Sequence, residues 1–170
     1  ESWQAFRARI PWAIAGQQFN LLGSHDTPRI LERLHGDPAL NRLAVAILFT
    51  YPGVPSIYYG DEIGLGARPN QMRAPMPWDR ASWDMDLRGL YRRLAHLRRS
   101  SPALSRGGFQ VLLAQGDALA YLRDSQQECL LLVGQRRGGA LPAGGIAVAH
   151  GAIPDGSRWQ EILGGGWAEV

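Results

Sequence analysis

The chain has 170 residues, 45% hydrophobic and 19% charged, a balance that belongs to ordinary globular protein and excludes disordered or fibrous classes. No apolar run approaches the roughly 18 residues of a membrane span. The net charge is only +3, and its 18 basic residues, all arginine, are scattered along the sequence. That pattern gives no footprint for nucleic acid.

In chain order, Ser2 precedes a short helical pattern through Arg9, with Trp3, Phe6 and Ile10 on one side, and Pro11 interrupts it. A second short amphipathic piece, Trp12 to Gln17, leads into an apolar strand from Phe19 to Leu22. That strand stops at Gly23-Ser24-His25-Asp26. Thr27 and Pro28 then have the chemistry of an N-cap and first-turn proline, predicting a helix to about Leu34. Asp37-Pro38 repeats the device. Leu40, Leu43, Ala44, Ile47 and Leu48 follow the spacing of a helix lying on a sheet. A second strand, Ser56 to Tyr59, follows Pro52-Gly53 and again stops at a glycine and two acids, Asp61 and Glu62. Two apolar strands that deliver polar side chains at their C-terminal ends, one strand–helix repeat apart, point to one site of the kind α/β barrels build.

Residues 63 to 85 hold no sustained period, and a loop this long tends to be functional. Asp86 to Ser100 reads as a helix with Leu87, Leu90, Tyr91, Leu94 and Leu97 on its buried stripe, stopped by Pro102. Its Arg92, Arg93, Arg98 and Arg99 read as a solvated face. Beyond Pro102 the period falls to two, with strand-like runs at Phe109–Ala114, Leu119–Arg123, Glu128–Gly134, Ile146–Ala149 and Arg158–Leu163. Regular short strands with turn punctuation predict a β-sandwich. The segment 136–145 reads as a Gly-rich turn, and Gly164-Gly165-Gly166 as a flexible connection. Cys129 sits in an apolar strand, where a buried inert thiol is expected, and as the single cysteine it closes no internal disulfide.

Gly23-Ser24-His25-Asp26-Thr27-Pro28-Arg29 and Pro52-Gly53-Val54-Pro55-Ser56-Ile57-Tyr58-Tyr59-Gly60-Asp61-Glu62 resemble the seventh and eighth barrel strands of the α-amylase superfamily, glycoside hydrolase family 13. Arg73-Ala74-Pro75-Met76-Pro77-Trp78-Asp79 resembles the loop after strand eight. The form of the first motif is most similar to the branch of neopullulanase, cyclomaltodextrinase and maltogenic amylase.

The resemblance implies an α/β architecture. Residues 1–102 would form the last quarter of a (β/α)8 TIM barrel, from the end of helix six through helix eight. Residues 103–170 would form an all-β C-terminal sandwich. It implies a retaining α-glucan hydrolase or transglycosylase acting on α-1,4 or α-1,6 bonds. Asp26 would be the acid that stabilises the transition state, and His25, Arg29 and Arg73 would bind substrate. Read from the residues themselves, Asp61 or Glu62 would brace the barrel mouth through loop backbone or an arginine, with Arg29 and Arg73 as candidate partner charges, and Tyr58, Tyr59 and Trp78 offer aromatic faces for a sugar or for the core. The nucleophile and general acid sit on strands four and five in that family, so the chain is expected to be a C-terminal fragment, inactive alone.

No cofactor and no metal are expected within this segment. The expected partners are an α-glucan oligosaccharide, the remainder of the barrel and a second copy of the fragment, with neither nucleic acid nor membrane, and the resemblance favours the cytoplasm. Three other readings stay open: a trehalose- or sucrose-type isomerase or glucosyl transferase on the same fold, a non-catalytic scaffold or sugar-binding module, and a metal hydrolase using His25, Asp26, Asp61 and Glu62.

Overall fold

The computed structural model describes residues 3–66, 72–138, 145–164 and 166–169. Two short helices, α1 (Trp3–Ala8) and α2 (Trp12–Ala15), lead into strand β1 (Phe19–Leu21). The side chains of Trp3 and Phe6, expected on the apolar side of α1, lie outside the described set. Then come α3 (Ile30–Arg33), α4 (Pro38–Thr50) and β2 (Val54–Ser56). β1 and β2 pair in parallel, Phe19 opposite Val54 and Leu21 opposite Ser56, as a strand–helix–strand crossover requires.

The α4 start is as the sequence specified: Asp37 Oδ1 accepts from the backbone N–H groups of Ala39 and Leu40, and Pro38 fills the first turn. At the α3 start the expectation fails. Thr27 caps nothing there; its Oγ1 accepts from the backbone of Ser24, and the helix begins only at Ile30 after an uncapped Arg29. β2 lies two residues earlier than expected, because Gly53, at φ 116°, turns the chain early. A Cβ there would meet Asn20 Nδ2 at 2.5 Å and the Gln18 carbonyl at 2.7 Å, so only glycine fits against β1.

After two single 3-10 turns, Asp61–Ile63 and Arg80–Ser82, comes α5 (Met85–Ser100), capped by Asp84 through the N–H of Leu87. Within the long loop, residues 67–71 lie outside the described residues. α5 ends at Ser100 as expected, and Pro102 opens a separate short helix, α6 (Pro102–Arg106), capped by Ser101, repeating the Asp37-Pro38 device. Where a sandwich was expected, β3 (Gly108–Gln115), β4 (Ala118–Asp124) and β5 (Cys129–Gln135) form a single three-stranded meander, antiparallel in that order. A separate two-stranded ribbon, β6 (Arg158–Gln160) with β7 (Trp167–Glu169), follows. Ile146–Ala149 forms no strand, and the run expected through Leu163 ends at Gln160. Part of the 136–145 turn, residues 139–144, and Gly165 lie outside the described residues.

The core is the α4–α5 interface: Val45, Leu48 and Phe49 against Leu87, Leu90, Tyr91 and Leu94, all nearly fully buried. Phe49 and Tyr91 meet edge-on at 5.8 Å. Two arginines tie the parts together. Arg98 is no part of a solvated face: half-buried, it donates to the carbonyls of Phe49, Tyr51 and Gly53, satisfying the end of α4 and the turn into β2. Arg123, buried on β4, donates to the carbonyls of Gly108, Thr50, Leu104 and Gly107, joining the meander to α4 and α6. Its burial pulls its pKa down to about 10. Cys129 is free and half-buried, its thiol pKa raised first by desolvation. No helix among the described residues is long and apolar enough to cross a membrane.

Candidate active site at the C-terminal ends of β1 and β2

Because the two strands are parallel, their C-terminal ends lie side by side, and the segments leaving them share one face. After β1 the chain makes a turn closed by the Ser24 N–H on Thr27 Oγ1 (3.1 Å) and the Asp26 N–H on Ser24 Oγ (3.2 Å). That turn uses the Ser and Thr side chains locally and leaves His25 and Asp26 facing outward. Asp26 is not a helix cap, since α3 starts four residues later without a side-chain cap.

The Asp26 carboxylate has a partner on each oxygen. Arg73 donates to Oδ1 at 2.9 Å, and His25 Nε2 lies 3.0 Å from Oδ2. Arg73 also donates from Nε to the His25 carbonyl at 3.1 Å, so one guanidinium grips both residues of the pair. The group stays open: the side chains of His25, Asp26 and Arg73 are 61%, 68% and 69% exposed. An oriented carboxylate with imidazole and guanidinium beside it, open to solvent, can bind sugar hydroxyls and stabilise positive charge developing on a sugar ring.

Arg29, expected either as a substrate contact or as the partner charge of Asp61 or Glu62, takes the second of these places. Its side chain is fully buried and donates to the Tyr59 carbonyl at 2.7 Å and to Asp61 Oδ1 at 2.9 Å. The guanidinium lies 4.6 Å from the Tyr58 ring and 4.8 Å from the Tyr59 ring. Burial raises the Asp61 carboxyl to about 6, against the pull of Arg29, and nearby Glu62 adds to the rise. This pair fastens the β2 exit to the start of α3, beneath the open site. Glu62 is half-buried on the same 3-10 turn, its Oε2 without a hydrogen-bond partner among the described residues. Tyr59 is 41% exposed and Trp78 79%. Among the described residues no three His, Cys, Asp or Glu side chains gather to hold a metal ion. The sequence left one feature unread, the hydrogen bonding of the two tyrosine hydroxyls: Tyr58 donates to the carbonyl of Met72 and Tyr59 to that of Ala74. The Tyr-Tyr pair one strand length before the loop was its only trace.

Residues 2–86 match the model for the α-amylase catalytic domain. A cyclomaltodextrinase from a Bacillus species is 44% identical over 129 residues, which cover 74% of this chain and 23% of that enzyme. Neopullulanase 2 from Thermoactinomyces vulgaris is 39% identical over 137 residues, covering 78% of this chain and 23% of that enzyme. Among solved structures, a cyclic α-maltosyl-(1→6)-maltose hydrolase from Arthrobacter globiformis, in complex with maltose, superposes with a TM-score of 0.68 at 36% identity. That match covers 78% of this chain and 30% of the other. The chain thus spans about a quarter of the length of the curated relatives it matches. The catalytic-domain match over the segment that carries both strand-end motifs shows that the chain belongs to the α-amylase family of glycosidases.

Proposed function

We propose that this chain supplies the seventh and eighth strand–helix units of a (β/α)8 barrel, residues 1–102, followed by a C-terminal β-sandwich, residues 103–170, in a longer retaining α-glucan hydrolase or transglycosylase. The observation that carries the reading is the Asp26 carboxylate, exposed at a strand's C-terminal end with Arg73 and His25 on its two oxygens. Breaking a glycosidic bond passes through an oxocarbenium-like state, and a carboxylate held beside the ring stabilises that state more than the neutral substrate. In this reading Asp26 is that carboxylate, and His25 and Arg73 orient it and contact the same sugar. The substrate is an α-1,4- or α-1,6-linked glucan. The nucleophile and general acid come from other strands of the longer protein.

The apolar residues of the short sheet support a continuation into further strands. Phe19 is 72% exposed, Leu21 53% and Val54 40%, on a two-stranded parallel sheet that no soluble barrel leaves uncovered. The 170-residue chain alone is therefore expected to release no reducing sugar from maltodextrin and to self-associate through this sheet. Expressed with its upstream coding sequence, the protein is expected to hydrolyse maltodextrin with retention of anomeric configuration, read by proton NMR. Hydrolysis by the short chain, or inversion by the long one, would contradict the reading.

A further inference from the structure

The loop that brings Arg73 to Asp26 is long and, among its described residues, has no regular structure of its own between the two 3-10 turns, yet the Arg73 guanidinium makes two directed bonds. Something must hold its backbone. The Tyr58 hydroxyl donates to the carbonyl of Met72 at 2.9 Å and the Tyr59 hydroxyl to the carbonyl of Ala74 at 2.7 Å, the residues immediately before and after Arg73. The two rings come from adjacent positions just past β2 and meet at 4.7 Å, 64° apart, so they reach the loop as one unit. Each ring in turn lies against the buried Arg29 guanidinium, which Asp61 fixes.

We infer that Tyr58 and Tyr59 are positioning residues that clamp the backbone on either side of Arg73 and so set the orientation of Asp26. The inference rests on the proposed role of Asp26. Neither hydroxyl is directed at the open site: both are engaged by backbone carbonyls, which marks them as supports rather than sugar contacts. With either hydroxyl gone, the carbonyl it held turns to water and the Arg73 backbone gains freedom. A small displacement of an oriented charge lowers transition-state stabilisation more than ground-state binding.

The test uses Tyr58→Phe, Tyr59→Phe and the double variant in the longer protein, with Arg73→Ala alone and combined with each. Amide hydrogen exchange over 72–76 is expected to quicken in the phenylalanine variants while the rest of the protein is unchanged. The double phenylalanine variant is expected to lose about tenfold or more in kcat, with KM moving far less. Added to Arg73→Ala, the same substitutions should cost almost nothing more, because they act through that arginine. Unchanged exchange over 72–76 would overturn the clamp. So would a loss of kcat that adds in full to that of Arg73→Ala. If Asp26→Asn and Arg73→Ala both leave turnover intact, the proposed function fails, and the exchange data alone then decide whether the tyrosines hold the loop.

Discussion

Arg29→Met removes a fully buried cation from beside two tyrosine rings and strips Asp61 of its partner. Removing one member of a buried ion pair typically costs about 3–5 kcal/mol, because the other charge stays buried. The pH dependence follows from Asp61. Its carboxyl is raised from 3.8 to about 6 in the folded chain, so the folded state holds the proton more tightly than the unfolded state. That contribution to stability is fully present below 3.8 and is lost as pH rises through about 6. Without Arg29 both influences that lower Asp61 disappear, its pKa moves higher, and the loss extends to higher pH. The substitution should therefore cost least near pH 5, where Asp61 is neutral in the variant, and grow by about 1.4 kcal/mol for each unit by which its pKa has risen. At pH 8 the full cost corresponds to a fall in Tm of roughly 10 °C for a chain of this size. Urea melts of wild type and variant at pH 5, 6.5 and 8 measure it. A companion, Arg29→Met with Asp61→Leu, should recover much of the loss and flatten the pH dependence. A cost that is the same at pH 5 and pH 8 would refute the assignment of a buried, ion-paired Asp61.

Arg123→Met should destabilise by about 3 kcal/mol or more, since four carbonyls lose a charged donor and two of those bonds are buried; a urea midpoint within error of wild type would show that the meander docks without it. Gly53→Ala is expected to cost at least about 2 kcal/mol, from a φ of 116° and a Cβ 2.5 Å from Asn20 Nδ2, and thermal melting checks it.

The fold was legible where one local signal set one element. Asp37 before Pro38 placed α4, and the stripe Leu87, Leu90, Tyr91 and Leu94 placed α5, because capping and periodicity act within a few residues. It was illegible where a partner distant in sequence decided. Thr27 looked like a cap, yet its hydroxyl serves the turn that presents Asp26. Arg98 looked like a surface charge but is drawn inward by carbonyls more than forty residues away, and of the two roles open to Arg29 only the distant Asp61 carboxylate decides for the buried one. At the site, His25, Asp26 and Arg73 could be picked out by type and motif, and the structure brings them together. The tyrosine hydroxyls could not, because nothing in an aromatic pair tells whether its polar tips face a core, a sugar or a loop. Ile146–Ala149 is apolar and half β-branched like a strand but forms none, since such a short run specifies a strand only when a neighbour pairs with it.

The most direct test of the account is the turnover of maltooligosaccharide by the longer protein carrying Asp26→Asn. The substitution keeps the shape of the side chain and removes the negative charge from a largely exposed position, so the fold should stand with a Tm close to wild type. If Asp26 stabilises the charge that develops on the sugar, kcat should fall by about three orders of magnitude or more. Turnover within tenfold of wild type would remove Asp26 from the chemistry and contradict the account.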